Sequence, residues 1–326
     1  MPQKTNLNIS PYYDDFDKYN NFYRVLFKPG YPVQARELTS LQSILQNQIE
    51  SFGSHIFKEG SMVIPGGITY DLNYYAIKVN ADHLGIDISL YIDQLIGVTL
   101  EGQSSGVTAT VLGYLLPPEL GVETPTLYVK YRNSNNDAEF DTFNDSEVLI
   151  TQSTITYGNT SINSGETVAT VFPLNASAIG SRVNLSSGVY FIRGTFVDVE
   201  ESTVILDPYE NTPSYRVGLT IQEDIVTSSD DSSLYDNAKG FSNYAAPGAD
   251  RLKISAVLSK KSLTDFDDKS FVELIRLDNG EVKKLQDKSQ YSIIKDYFAK
   301  RTYEESGDYS IGNFKVEVTN SLKIGR

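Results

Sequence analysis

Only one stretch of this chain carries a helical signature. From Val33 to Phe52, the apolar residues Leu38, Leu41, Leu45, Ile49 and Phe52 recur at three- and four-residue spacing. Pro32 suits the first turn after the Lys28-Pro29-Gly30 turn signal, and Gly53 stands where a C-terminal cap belongs. Elsewhere short alternating runs are separated by Gly, Pro, Asn and Asp. The aromatic residues are 22 Tyr and 15 Phe with no Trp, which favours strands and turns. The pattern predicts a mainly β chain with one long N-terminal α-helix (α+β). Its 326 residues are enough for two or three domains.

The runs divide the chain. Residues 1–31 predict an extended aromatic arm with Tyr12, Tyr13, Phe16, Tyr19, Phe22, Tyr23, Phe27 and Tyr31. Such an arm packs either over its own chain or onto a neighbouring subunit. Residues 32–80 and 173–326 predict the main β-rich body, carrying the helix at 33–52. Residues 81–172 shift toward Thr, Val, Ser and Gly and predict a small β-sandwich or barrel inserted in that body. If so, joining Asn80 to Leu174 by a short Gly/Ser linker leaves the remainder folded. Ser105-Gly106-Val107-Thr108 and Ser164-Gly165-Glu166-Thr167 read as two similar strand openings. Residues 180–325 read as strand-like, with an acidic, polar loop from Ser228 to Gly240. Arg251 to Ser259 and Phe271 to Leu277 look like paired strands, and Asp278-Asn279-Gly280 is a tight hairpin signal. Phe314 to Thr319 predicts a last strand, and the end shortly after it is expected of an ordered part of a longer polypeptide.

Charge and motifs narrow the chemistry. Lys and Arg total 28 and Asp and Glu 42, a formal net charge of −14. Such a chain repels phosphate backbones, and the nearest things to a basic patch, Lys260-Lys261 and Lys300-Arg301, are ordinary solvated pairs, so no nucleic acid is expected as a partner. No cysteine is present, and no run of eighteen apolar residues, so neither thiol chemistry nor membrane insertion is expected. The two histidines, His55 and His83, stand in no metal or triad motif. Asp137, Glu139, Asp141 and Asp145 come closest to a calcium loop, but Thr142 and Val148 occupy the places of its glycine and final glutamate. Asp198, Glu200, Glu201 and Asp207 are the nearest thing to glycosidase carboxylates, and tyrosine would have to replace the usual tryptophan platform. No catalytic residue, metal or cofactor is assigned, and the chain reads as a non-enzyme that makes contacts.

The helix supplies the candidate contacts. Opposite its apolar stripe lie Gln42, Ser43, Gln46, Asn47 and Glu50, a face rich in amides and nearly uncharged. Solvated helix faces usually carry more Lys and Glu. The expectation is that the stripe packs on the chain's own strands. Gln42, Gln46 and Asn47 then meet another subunit, and Phe16, Tyr19, Phe22 and Tyr23 of the arm extend that interface.

At residues 21–66 the run Asn21-Phe22-Tyr23-Arg24-Val25-Leu26-Phe27-Lys28-Pro29-Gly30-Tyr31-Pro32-Val33-Gln34-Ala35-Arg36-Glu37-Leu38-Thr39, then His55-Ile56-Phe57-Lys58-Glu59-Gly60-Ser61-Met62-Val63-Ile64-Pro65-Gly66, resembles a virion structural family. That family is the baseplate wedge or tail-associated proteins of contractile-tailed phages, especially cyanophages. Gly188-Val189-Tyr190-Phe191-Ile192-Arg193-Gly194, Asp236-Asn237-Ala238-Lys239-Gly240-Phe241, Asn243 to Leu252 and Arg301 to Tyr309 share the resemblance, whereas 81–172 shares it poorly. The resemblance implies a scaffold in a phage tail baseplate that links wedge, fibre and sheath components. It also implies other tail proteins as partners, homo- or hetero-oligomeric assembly, and residence in the virion after synthesis in the host cytoplasm. No catalytic residues come with it. The alternative is a peripheral tail fibre, receptor-binding or depolymerase protein, and a depolymerase calls for a long β-solenoid repeat and an acidic cleft.

Overall fold

The computed structural model describes residues 5–64, 66–133, 142–285 and 292–307. After the arm come α1 (Ala35–Gly53), β1 (Ser61–Ile64) and β2 (Ile68–Lys78). The segment 81–172 holds β3 (Asp82–His83), β4 (Ile86–Asp87), β5 (Thr99–Gly102), β6 (Thr108–Leu115), β7 (Thr126–Asn133), β8 (Val148–Thr151), β9 (Ile155–Tyr157), β10 (Thr160–Ile162) and β11 (Thr167–Thr170). Then follow β12 (Ser177–Leu185), β13 (Gly188–Ile192), β14 (Thr195–Val199), β15 (Ser202–Asp207), β16 (Tyr215–Val226), β17 (Arg251–Ser262), β18 (Phe271–Asp278), β19 (Glu281–Leu285) and α2 (Ser292–Ser306). The fold is mainly β.

Three sheets make the body. The largest has eight strands in the order β11-β8-β5-β6-β7-β2-β12-β15, with every neighbouring pair antiparallel. A four-stranded sheet runs β17-β16-β18-β19 and a three-stranded one β1-β13-β14. The strands of 81–172 therefore close no barrel. They extend a sheet whose other members, β2, β12 and β15, belong to the body. The physical reason is register: Tyr75, Ala76, Ile77 and Lys78 of β2 pair directly with Val129, Tyr128, Leu127 and Thr126 of β7, so the ladder continues across the boundary.

Two apolar cores follow from this layout. One lies under the segment, with Leu100, Val111, Leu127, Leu149, Val168 and the turn residues Ile88, Ile92 and Leu95, and it takes in Ile77, Val79 and Ala176 from beyond the segment. The other lies where the three sheets meet: Met62, Tyr190 and Ile192 pack with Val183, Leu185 and Leu206 and with Val217, Leu219, Leu274 and Ile275. Between them Tyr74 and Tyr128 stack with ring centroids 4.4 Å apart.

Two sequence expectations change here. β17 and β18 do not pair with each other, because β16 lies between them and pairs with both. Residues 180–325 are not all strand: Ser292–Ser306 form α2, whose apolar side chains Ile294, Tyr297, Phe298 and Tyr303 lie partly or wholly exposed. The strand expected at 314–319 lies outside the described residues. The hairpin at Asp278-Asn279-Gly280 connects β18 to β19, with Asn279 and Gly280 both at positive φ as a tight turn there requires. Among the described residues no helix is long and apolar enough to cross a membrane.

Candidate interaction surface

The arm is tied down by carboxylates of the body and of the arm itself. The Thr5 backbone N–H and Oγ1 donate to Glu223 Oε2 at 2.7 and 2.6 Å. The same carboxylate meets the guanidinium of Arg193, and both side chains are almost fully buried. The Arg193 backbone N–H donates to Glu59 at 2.9 Å, so the turn between β13 and β14 joins this cluster. Burial raises the pKa of Glu59, and the hydrogen bond and charge of Arg193 oppose that shift. Farther on, Tyr12 OH donates to Asp250 Oδ2 at 2.6 Å. Asp14, buried, accepts from Ser43 of α1 and, at 3.3 Å, from Ser40.

α1 begins where the Glu37 carboxylate accepts the Gln34 N–H at 2.9 Å, which satisfies a donor left free at the helix start. The helix then settles on the body by its polar side. Gln46 Nε2 donates to Gly194 O at 2.8 Å and lies 3.0 Å from Thr195 Oγ1. Ser43, Ile44 and Gly53 are buried, and a Cβ at Gly53 would come within 2.5 Å of the Phe191 ring. Most of the apolar stripe points away: Leu38 is 52 % exposed, Leu45 57 %, Ile49 46 % and Phe52 68 %, whereas Leu41 is half-buried.

This reverses the expected orientation of the helix. The stripe does not pack on the chain's own strands, and Gln46 spends its hydrogen bonds inside its own chain. Periodicity shows which side of a helix is apolar, but the β13–β14 turn offers a carbonyl and a hydroxyl, which suit an amide better than a leucine. Gln42 is exposed beside the stripe. Asn47 lines a small cleft with Phe16, Phe22 and Tyr23, so four of the proposed contact residues do come together. An adjoining cleft of about 370 Å³ between arm and helix is lined by Phe16, Phe22, Arg36 and Ile44 among others. Tyr19, Phe22 and Tyr23 remain exposed, as do Leu26, Phe27 and Tyr31. Arm and helix thus both expose large apolar side chains.

The candidate catalytic and metal positions are scattered or internally occupied. His83 is buried with both ring nitrogens 3.0 Å from the hydroxyls of Thr167 and Thr170, and burial lowers its pKa. His55 is exposed just beyond α1, hydrogen-bonded to the Ser51 carbonyl. Asp207 accepts from Tyr215 OH at 2.8 Å, while Asp198, Glu200 and Glu201 are exposed. Asp137, Glu139 and Asp141 lie outside the described residues, and Asp145 caps the backbone N–H groups of Asn175 and Ala176.

Compared with known proteins, the chain matches the family described as "Domain of unknown function (DUF4815)" over residues 10–105 and 132–324. The break in the match falls within the eight-stranded sheet, over all of β6 and most of β7. No curated protein and no solved structure matches the chain.

Proposed function

The chain belongs to the DUF4815 family, and we propose that it serves as a structural component of a phage tail baseplate, a scaffold whose arm and long N-terminal helix dock onto a neighbouring protein of the assembly. The observation that carries this reading is the outward stripe of α1. Fully burying a leucine or isoleucine is worth about 2 kcal/mol, so Leu38, Leu45, Ile49 and Phe52 leave a substantial stabilisation to be gained on contact. A partner that covers them gains it. The resemblance of residues 21–66 to virion proteins supplies the kind of assembly, and the acidic surface suits a basic partner. In this reading residues 81–172 are an insertion that the scaffold carries on its main sheet.

Leu45→Asp combined with Ile49→Asp tests it. Because both side chains already face water, the double variant is expected to stay soluble, with an unchanged circular dichroism spectrum and melting temperature. It should fail to co-purify with the other proteins of its particle, where the wild type does. Normal incorporation of the variant would remove the support for this surface. Loss of the folded state would show that the stripe is packed within the chain after all.

A further inference from the structure

β2 parts from β7 partway along its length. It pairs with β7 only from Tyr75 to Lys78, whereas its pairing with β12 continues to Ile68. Between the pairs Tyr74–Gly180 and Asp71–Arg182 the chain advances three residues on β2 and two on β12, a bulge that bends β2. β7 meanwhile runs on beside β6 to Asn133. The sheet therefore forks, and among the described residues no strand pairs with the β7-facing edge of β2 from Ile68 to Tyr74. A hollow of about 440 Å³ lies at the fork. Tyr74 and Tyr75, successive residues that a strand turns to opposite faces, both line it, as expected where a sheet is open through its thickness. We propose that the fork takes up an extended segment of another protein, alternating acidic and apolar residues, added as a strand along the free edge of β2.

Three observations select that partner. First, Ile68-Thr69-Tyr70-Asp71 is an edge with neither Pro nor Lys to guard it, and Thr69 and Tyr70, on opposite faces, are both exposed. Unpaired N–H and C=O groups on such an edge are a template for strand addition. At about 3.3 Å per residue, Ile68 to Asn73 offers roughly 20 Å, enough for a short strand. Second, one face of the fork is basic. Tyr128 of β7 stacks on Tyr74, and Arg182 lies 4.2 Å over the same Tyr74 ring. Lys130 and Arg132 follow Tyr128 at alternate positions and so share that face. Both are exposed and make no ion pair among the described residues. Asp71 lies 3.7 Å from Arg182, and Glu201 lines an adjoining hollow with it. Three cations thus face two carboxylates, a local positive excess on a chain whose net charge is −14. Third, the other face is apolar: Tyr75, exposed, stands edge-on to Tyr131 with ring centroids 5.4 Å apart. A strand lying in the fork turns alternate side chains to these two faces. A carboxylate at every second position then meets the cations, and the apolar side chains between them meet the tyrosines.

This surface lies on the main sheet and does not depend on the docking of α1. The probe is a fluorescein-labelled heptapeptide alternating Val and Glu, titrated with the whole chain and followed by fluorescence polarisation. It should bind saturably, and its binding should slow amide hydrogen exchange within residues 68–74. A heptapeptide alternating Val and Lys should bind at least about tenfold more weakly. Two N-methylated versions of the Val/Glu peptide, one blocked at every Val amide and one at every Glu amide, each lose the donors of one edge. One of the two should bind about tenfold more weakly than the parent. Lys130→Glu combined with Arg132→Glu should weaken the parent peptide about tenfold, with unchanged circular dichroism. Hydrogen exchange is read on the wild type, so the test stands even where the double variant does not fold. Absence of saturable binding overturns the proposal. So does unchanged exchange within 68–74, equal binding of the lysine peptide, or full binding by both N-methylated versions.

Discussion

Replacing Glu273 with Gln is expected to destabilise the protein by about 3–5 kcal/mol, the usual result of leaving a buried cation, here Arg216, without its counter-charge. Glu273 lies in β18 with its side chain 5 % exposed. It accepts from Arg216, from Arg276 at 2.9 Å and from Lys284 at 3.2 Å. Arg216 also packs between Phe266 and Phe271, its guanidinium carbon 4.4 and 5.3 Å from their centroids, so it cannot swing out to water without dismantling that corner. Burial by itself would raise the pKa of this carboxyl, but the hydrogen bonds from Arg216, Arg276 and Lys284 outweigh it and hold the pKa near about 2. The unfolded chain protonates the same group near 4.5. The stabilisation is therefore complete above pH 4.5 and drains away as the pH falls from there toward 2. Urea titrations of wild type and Glu273→Gln at pH 7 and pH 3 check both statements. The gap between the two proteins should be widest at pH 7 and narrow at pH 3. A difference under about 1 kcal/mol at pH 7 would mean that the three cations are solvated well enough to stand alone.

Deleting residues 81–172, with Asn80 joined to Leu174, is expected to make the protein aggregate. The deletion removes five of the eight strands of the main sheet and strips β2 of its β7 neighbour. β2 would become a long, unprotected edge, ready to pair with another chain. Ile77, Val79 and Ala176, now fully buried in the core beneath the segment, would lose that cover. Solubility after expression, and size-exclusion chromatography of whatever remains, give the answer. A monomeric, folded deletion variant would show instead that the segment is an autonomous unit whose ladder to β2 is incidental.

The positions of the elements were more legible in the sequence than their neighbours. Leu38 to Phe52 marked a helix, and the alternation of Gly188 to Val199 around Arg193-Gly194 marked two strands with a tight turn. What lay beyond reach was long-range. Nothing near Gln46 indicates that Gly194 O, 148 residues away, will take its amide proton. Nothing local in Arg251 to Ser262 indicates that β16 will insert between it and β18. α2 was missed because its aromatic residues are spread around the helix and carry no stripe.

The side-chain ties of α1 bear on how the proposed partner would be caught. Gln46 on the β13–β14 turn, Ser43 on Asp14 and Gly53 against Phe191 fix the helix before any encounter. Thr5 on Glu223 and Tyr12 on Asp250 do the same for the arm. A segment that must fold as it binds loses much of its contact energy to ordering, on the order of 2–5 kcal/mol. Here that ordering is complete in the free chain, so the exposed leucines can be converted almost wholly into affinity. The cost falls on the unassembled protein, which must carry a sticky face through the cell. In the proposed assembly, newly made copies should therefore be the aggregation-prone ones, and timely capture by the next component would decide how many survive.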